Sequence, residues 1–224
     1  MSALTYEGLH ALLARYIGPL DDADPKVRKR LHILRTAAEL FARQGYRKTS
    51  VDEVARAAGV AKGTVYSYFD GKIDLLVAAA AMEKREALGF MAEVLDPERP
   101  AEQRLRRYLE AILVMPLRMP VSTALMTGDQ ELAAVMAELP PELTDQGVAD
   151  RIAFLVELID EVARPHTWTE SELRDRADVL TGLVFLSPHL QAPHVRGQVS
   201  VERYAELLAD LLIAGLRNDK GNEP

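Results

Sequence analysis

The stretch AKGTVYSYFDGKIDLL, residues 61–76, decides the fold and also raises a question about charge. It sets two lysines, two tyrosines, a threonine and a serine around glycines, although the whole chain carries a formal net charge of -7. The chain of 224 residues is 48% hydrophobic and 27% charged, a balance typical of a folded globular protein. A hydroxyl-rich segment with two lysines in such an acidic chain needs a local explanation.

The positive charge is concentrated in one part of the sequence. From Lys26 to Lys72 there are eleven Lys and Arg residues and four Asp and Glu residues, a net charge of +7, whereas the rest of the chain carries -14. This asymmetry indicates a polyanionic partner for the basic part alone. The chain has no cysteine, which excludes disulfides, thiolate catalysis and cysteine-based zinc sites.

The hydropathy pattern predicts a cytoplasmic protein without a membrane partner. The longest uninterrupted apolar run, Leu75 to Met82, has eight residues, whereas a membrane-spanning helix needs roughly 18 to 20. Glu7, His10 and Arg15 interrupt the N-terminus before the apolar core of a signal peptide could form.

Apolar residues recur at helical spacing along the chain, and strand alternation is absent, so the predicted fold class is all-α. One helix is expected from Pro25 to Gln44, with Gly45 as a left-handed C-terminal cap. A short helix follows, begun by a capping box in which the Ser50 side chain and the Glu53 carboxylate each accept from the other residue's backbone amide. A third helix begins near Ala61.

The later helices are read in the same way. Asp70 is expected to cap a long helix, which Asp96-Pro97 stops. After Pro100 the helical pattern returns in blocks at 102–115, 129–139, 145–163, 170–186 and 199–217. An amphipathic pattern within residues 1–20 predicts an extra N-terminal helix that packs on the unit following it or on that unit's partner.

Two short helices separated by Gly59 predict a helix-turn-helix, because glycine accepts the positive φ of the turn. Val60, Val65 and Phe69 can close its core. The outward face of the second helix carries Lys62, Gly63, Thr64, Tyr66, Ser67 and Tyr68. This face is polar and has no carboxylate, as binding in a DNA major groove requires.

A dense and ordered series of short motifs runs through residues 30–76. The motifs are Ile33-Leu34, Ala37-Ala38, Leu40-Phe41, Gln44-Gly45-Tyr46, Thr49-Ser50-Val51, Val54-Ala55, Ala58-Gly59-Val60, Lys62-Gly63-Thr64-Val65-Tyr66, Tyr68-Phe69 and Lys72-Ile73-Asp74-Leu75-Leu76. This segment resembles the DNA-binding domain of the TetR family of transcriptional regulators. The resemblance implies an N-terminal three-helix DNA-binding domain, joined by a long helix to a C-terminal helical domain for ligand binding and dimerisation.

The resemblance also implies roles for individual residues at the DNA surface. Phosphate contacts are implied for Thr49, Tyr66, Tyr68 and Lys72, and base-reading positions for Lys62, Gly63, Thr64 and Ser67. Hydroxyl, ammonium and helix N-terminal amide groups are good partners for phosphate oxygens, which agrees with these roles. The chain departs from the family at Ala61, where a serine is common, and so forgoes a helix cap worth about 1 kcal/mol.

The predicted organisation has four parts: an N-terminal extension at 1–24, the DNA-binding domain at 25–72 with its helix-turn-helix at about 50–69, a sensor and dimerisation domain at 73–218, and a tail at 219–224. A helix-turn-helix reads few base pairs, so a homodimer on a palindromic operator is expected. The candidate interface stripes are Leu173, Ala177, Leu180 and Val184 on one helix, and Val201, Ala205, Leu208, Leu212 and Gly215 on another.

Members of the family are commonly repressors that release DNA when a small effector binds the C-terminal domain. The resemblance thus implies an apolar or amphipathic effector of unknown identity and no cofactor. Adaptable apolar side chains that could line its pocket are Phe90, Met91, Met115, Met119, Met126, Met136, Phe154 and Trp168. His189 and His194 lack a patterned carboxylate nearby, so no metal site is predicted.

Two other classes of function remain open from sequence. One is an all-α enzyme or metal-binding helical bundle without DNA binding, although the chain has no Glu-x-x-His pair, glycine-rich phosphate loop or nucleophile elbow. The other is a helix-turn-helix used only for protein contacts, which the +7 charge and the carboxylate-free second helix disfavour.

Overall fold

The structure is a computed structural model that describes residues 5–21, 23–127, 135, 137, 145–165 and 168–218. Its α-helices are α1 (Tyr6–Ile17), α2 (Pro25–Lys48), α3 (Val51–Ala57), α4 (Lys62–Tyr66), α5 (Lys72–Leu95), α6 (Ala101–Val114), α7 (Pro120–Thr127), α8 (Asp145–Ala163), α9 (Glu170–Gly182), α10 (Pro193–Arg196) and α11 (Val201–Asn218). Two 3-10 segments span Met115–Arg118 and Leu183–Gln191. The described residues contain no strand, which confirms the all-α prediction.

One predicted helix, two predicted pocket residues and the predicted tail fall on residues that the structure does not describe, or describes only in part. Most of the block at 129–139, the side chain of Met126, all of Met136 and the tail at 219–224 lie outside the described residues.

The chain divides into two compact units. The head unit comprises residues 9–86 and 119–138, and the body unit comprises 1–8, 87–118 and 139–224, each through its described residues. This division follows packing alone, so the boundaries predicted at 24–25 and 72–73 stay predictions.

The head unit includes most of α1, from Leu9 onward. Leu13 and Ile17 of α1 are buried, and α1 is followed by Gly18 with φ at 72°. The Arg30 guanidinium on α2 donates to the Ile17 carbonyl oxygen and lies 4.7 Å from the centre of the Phe69 ring. Burial lowers the pKa of Arg30, and the Asp74 carboxylate acts in the opposite direction. Arg30 therefore ties the end of α1 to Phe69, just beyond α4.

Local chemistry sets the ends of α2. Asp24 accepts from the Lys26 amide at 2.8 Å, and Pro25 fills the first helical position, where its missing N–H costs nothing. Gly45 breaks the helix with φ at 81° and ψ at 169°. The positive φ is as expected, but this ψ lies far from the left-handed helical value, and one more turn, 46–48, follows before Thr49.

Two predicted caps differ in the structure. Ser50 Oγ accepts from the Glu53 amide at 3.2 Å as expected, whereas the Glu53 carboxylate accepts from Gln44 Nε2 at 2.9 Å. Asp70 precedes α5 by two residues, and its own amide donates to the Asp74 carboxylate at 3.0 Å. The prediction that Asp70 caps α5 is therefore wrong, because the contact is made by the Asp70 amide to the Asp74 carboxylate of the first turn.

Helix α7 packs in the head unit against α5. The Glu83 carboxylate of α5 accepts from the amides of Val121 and Ser122, at 3.0 and 2.8 Å, in the first turn of α7. Ser122 Oγ donates to the Ala80 carbonyl oxygen at 3.3 Å. Burial raises the pKa of Glu83, and the two amide donors act in the opposite direction. The orphan amides of a helix N-terminus are thus satisfied by a side chain from another helix.

The core of the body unit lies among α6, α8, α9 and α11. Its fully buried members include Leu105, Leu109, Leu155, Ile159 and Ala177. A capping box begins α9, where Thr169 Oγ1 accepts from the Glu172 amide and the Glu172 carboxylate accepts from the Thr169 amide. Buried Ser187 of the second 3-10 segment donates to the Leu113 carbonyl oxygen at 2.7 Å, which fastens that segment to α6.

The predicted dimer stripes mostly pack inside their own subunit. Leu173, Ala177, Leu180 and Ala205 are buried, and Val201, Leu208 and Leu212 pack against the same core clusters of the body unit. The assignment of these residues to an interface is therefore wrong, because the most periodic face of each helix meets the core of the body unit.

Four large apolar side chains of these same segments are exposed on other faces. They are Val179 on α9, Phe185 in the second 3-10 segment, and Leu207 and Leu211 on α11. Val179 is 68% exposed and Leu211 is 71% exposed.

Within the described part of the chain, no helix combines the length and apolar character needed to cross a membrane.

Candidate nucleic-acid interface

Helices α3 and α4 form a closed helix-turn-helix. Gly59 makes the turn with φ at 66°, which confirms the positive φ predicted for it. The Val60 amide donates to the Ala55 carbonyl oxygen at 2.9 Å and closes the turn. The buried side chains beneath it are Val51, Val54, Ala55, Ala58, Val65 and Phe69. The opposite face of α4 is left for a partner.

Most of the residues predicted to read bases are exposed on α4. Lys62, Gly63 and Ser67 are exposed, and Thr64 is half-buried. Ser67 Oγ donates to the Thr64 carbonyl oxygen at 2.7 Å, so its hydroxyl has an internal partner in the free protein. Ala61 supplies no side-chain cap to α4, as the sequence predicted.

Tyr66 and Tyr68 differ in exposure. The Tyr66 side chain is 48% exposed, a large fraction for an aromatic residue in a folded unit, and Tyr68 is half-buried. Because a tyrosine has an apolar ring and a hydroxyl donor, an exposed one suits a surface that meets a polar partner.

Lys72 is positioned by an aromatic residue that the sequence analysis did not assign to the site. Its ammonium nitrogen lies 3.8 Å from the centre of the Tyr46 ring, a cation–π distance. Tyr46 in turn stacks on Phe41 with ring centres 6.0 Å apart. The signal available in the sequence was the aromatic residue of the Gln44-Gly45-Tyr46 motif.

Thr49 does not share the exposed surface. Its side chain is 1% exposed, and its hydroxyl donates to the Gly45 carbonyl oxygen at 2.8 Å. A hydroxyl engaged in this way bridges the turn between α2 and α3, so the implied phosphate contact of the Thr49 side chain is corrected to a structural role.

Lys62 is paired across the helix-turn-helix with Asp52 of α3. Its Nζ lies 2.9 Å from Asp52 Oδ1 and 3.0 Å from Oδ2. Both side chains are 55% exposed. The hydrogen bond and charge of Asp52 raise the pKa of Lys62. Asp52 is one of the four carboxylates between Lys26 and Lys72, and its contact with α4 was not predicted from the sequence.

Further exposed cations lie on the head unit outside the predicted contact set. They include Lys26, Arg28, Lys29, Arg35, Arg43, Arg47, Lys48 and Arg56. Lys48 closely precedes α3, and Arg56 lies on α3 itself. The positive charge counted in the sequence is therefore largely at the surface, where it can attract a polyanion.

Most of the predicted effector-pocket residues belong to the core or its margin. Phe154 and Met115 are buried, and Met91 and Trp168 pack against the core cluster of the body unit. Met119 lies in the head unit, immediately before the first residue of α7. Phe154, Met115, Met91 and Trp168 therefore lie in or against the interior, and a pocket role for them and for Met119 stays a prediction.

Phe90 does line a cavity, of about 190 Å³, within the body unit. The apolar part of its wall is completed by Ala111, Val114 and Ala205, and its charged residues are Arg107, Arg118, Glu110, Glu202 and Glu206. The Arg107 guanidinium lies 4.7 Å and the Arg118 guanidinium 5.9 Å from the centre of the Phe90 ring.

Metal-ligand geometry is absent from the described residues, where no group of three or more His, Asp or Glu side chains is arranged to hold an ion. His189 and His194 are both exposed.

Part of the head unit is similar to a known protein family. Residues 33–79 match the sequence profile of the family described as bacterial regulatory proteins, tetR family. The fatty acid metabolism regulator protein of Bacillus subtilis (strain 168) is 30% identical over 107 residues, which are 48% of this chain and 50% of that protein. The matched stretches span half or less of the curated relatives.

Solved structures resemble a larger part of the chain. NalD, the secondary repressor of the MexAB-OprM multidrug efflux pump in Pseudomonas aeruginosa, is 24% identical with a TM-score of 0.63, covering 88% of this chain and 100% of that one. AibR in complex with isovaleryl coenzyme A and operator DNA is 20% identical with a TM-score of 0.58, covering 82% and 97%. These likenesses show the fold. The sequence similarity to the tetR family of bacterial regulatory proteins lies in the segment at residues 33–79.

Proposed function

We propose that this protein is a sequence-specific DNA-binding transcriptional regulator, acting in the cytoplasm as a repressor and catalysing no reaction. The observation that carries the proposal is the exposed face of α4, which presents Lys62, Gly63, Tyr66 and Ser67 above a closed apolar core. A short helix with donors on its outer face and no carboxylate of its own suits the major groove.

We propose that some of these residues contact DNA phosphates and that others contact base edges. Tyr66, Tyr68 and Lys72 are proposed to hold phosphates, because hydroxyl and ammonium donors at the edge of a reading helix fix its register. Lys62, Gly63, Thr64 and Ser67 are proposed to face base edges, and the missing side chain of Gly63 allows the backbone to approach closely. Thr49 is left out of this contact set because it is buried.

We propose that the active form is a homodimer on a palindromic operator. A single helix-turn-helix reads few base pairs, and two copies related by a two-fold axis read two half-sites. The proposed contact surface consists of Val179, Phe185, Leu207 and Leu211, which are large apolar side chains left exposed by one subunit. Covering such side chains with a second copy removes apolar area from water.

We also propose that the protein releases its operator when it binds a small effector. The cavity beside Phe90 supports an amphipathic ligand, because its wall combines apolar side chains with arginine and glutamate. Two relatives are consistent with ligand control: one is named as a fatty acid metabolism regulator, and AibR was solved with isovaleryl coenzyme A and operator DNA.

The salt dependence of duplex binding tests the proposal. Binding to a mixed-sequence duplex should weaken linearly on a log-log scale between roughly 50 and 200 mM salt, because phosphate contacts release counterions. Lys72→Gln removes one phosphate-facing cation per subunit, so it should make the slope shallower by about 1.8 per dimer. Fluorescence anisotropy with a labelled duplex measures the salt dependence of binding for wild type and for the variant.

The control for the salt experiment is Arg99→Gln, which removes an exposed charge from the body unit. It should leave the slope unchanged. If the folded protein does not bind the duplex at the lowest salt concentration, the proposed function as a DNA-binding regulator is refuted. The two other functions would then be tested, namely a helix-turn-helix for protein contacts and an all-α enzyme.

A further inference from the structure

Asp52 places a negative charge against the helix proposed to read DNA. It lies in the first turn of α3, and its two carboxylate oxygens approach Lys62 Nζ, on the first residue of α4, at 2.9 and 3.0 Å. The contact therefore joins the first turns of the two helices of the helix-turn-helix.

The neighbouring carboxylates have other partners. Glu53 accepts from Gln44 Nε2, and Asp74 accepts from the Asp70 amide at the start of α5. Asp52 is 55% exposed, so its charge is presented to whatever approaches α4. A duplex that meets α4 would meet Lys62 and Asp52 together.

An exposed ion pair of this kind is weak and reversible, since solvent screens it and two flexible side chains must be ordered. On a duplex of arbitrary sequence, Lys62 would gain only a screened phosphate contact in exchange for Asp52, and Asp52 would repel the same phosphates. On a matching site, Lys62 can donate to the edge of a base such as guanine, a contact worth roughly tenfold or more in discrimination.

We propose that Asp52 is a specificity-determining residue of the DNA surface, which keeps Lys62 neutralised on non-matching duplexes and releases it to the matching base. This inference rests on the proposed function, because it assigns a role within the same DNA surface. Asp52 thereby lowers affinity for arbitrary DNA more than affinity for the operator.

The test compares wild type with Asp52→Asn on two probes, a random-sequence duplex and the duplex that wild type selects from a random pool. On the random duplex we expect a rise in affinity of roughly five- to tenfold, and a salt slope steeper by about 1.8 per dimer as Lys62 becomes available to phosphates. On the selected duplex we expect a rise of less than about threefold, because Lys62 is already engaged there.

Two matched variants separate this role from a general charge effect. Glu39→Gln removes an exposed carboxylate of α2 in the same unit and should raise affinity for both probes by the same small factor. In a Lys62→Gln background, Asp52→Asn should no longer steepen the salt slope. Thermal unfolding of each variant checks that α3 and α4 remain folded.

The outcomes are distinct. Equal rises on both probes, or no change on either, would overturn the role of Asp52 in discrimination. Loss of binding to the selected duplex alone would also overturn it, and would show that the Asp52 carboxylate reads a base directly. If wild type binds neither probe, the proposed function itself fails and this inference fails with it.

Discussion

Replacing Tyr66 and Lys72 together with alanine is expected to lower operator affinity by roughly a hundredfold or more while the protein stays folded. Each subunit would lose two hydrogen bonds to phosphate, and bonds to charged groups are worth about 1.5–3 kcal/mol apiece. Tyr66 is largely exposed and packs little, so its removal should leave the core intact. Anisotropy titration of the selected duplex measures the loss, and circular dichroism and thermal unfolding report the fold.

Single variants separate the contributions. Tyr66→Phe keeps the ring and removes the hydroxyl, so most of the Tyr66 effect should persist in it. Arg99→Ala removes a positive charge from the body unit and should leave affinity nearly unchanged, which shows that net charge alone does not explain the loss. Full operator affinity in a folded double variant would contradict the assignment of this surface.

Placing a glutamate at Leu211 is expected to convert the dimer to monomers and, in consequence, to abolish high-affinity operator binding. Leu211 is 71% exposed in one subunit, so the substitution does not disturb the folded monomer. At a subunit interface the same carboxylate would be buried without a partner, at a cost of several kcal/mol. Sedimentation velocity at micromolar protein measures the change.

The control for this variant is Gln103→Glu, which adds the same charge at an exposed position of α6 and should leave the dimer intact. Leu211→Ala removes apolar area without adding charge, so we expect an intermediate weakening. A Leu211→Glu protein that still sediments as a dimer and still binds the operator would place the interface elsewhere on the chain.

The sequence predicted best those features that depend on local chemistry. The glycines at 45 and 59 both adopt the positive φ expected of them, and Ser50 begins α3 by accepting from the Glu53 amide. These outcomes depend on a few adjacent residues, so they can be read without knowing what packs against them. The α4 surface followed from the same local logic, because its apolar and polar faces alternate at helical spacing.

Features that depend on tertiary partners were harder to predict. The stripe through Leu173, Ala177 and Leu180 is apolar whether the body unit or a second subunit covers it, and periodicity does not distinguish the two. The same ambiguity affected Phe154, which is buried in the core, and Met91, which packs against it. Side chains left exposed, such as Val179, become meaningful only after the core has been located.

Pairings between helices were also not readable from sequence. Asp52 and Lys62 are ten residues apart and meet only because Gly59 turns the chain, and Tyr46 reaches Lys72 across a greater separation. Thr49 illustrates the reverse case, since a hydroxyl that suits phosphate binding is used to bridge the turn after Gly45.

Selection of bound fragments from a random duplex pool, followed by sequencing, tests the central claim most directly. The account predicts that wild type enriches an inverted repeat whose half-sites are separated by about one helical turn, roughly 10–10.5 base pairs, or a multiple of it. The folded Tyr66→Ala, Lys72→Ala variant should enrich nothing. A folded wild-type dimer that enriches no sequence at low salt would contradict the account.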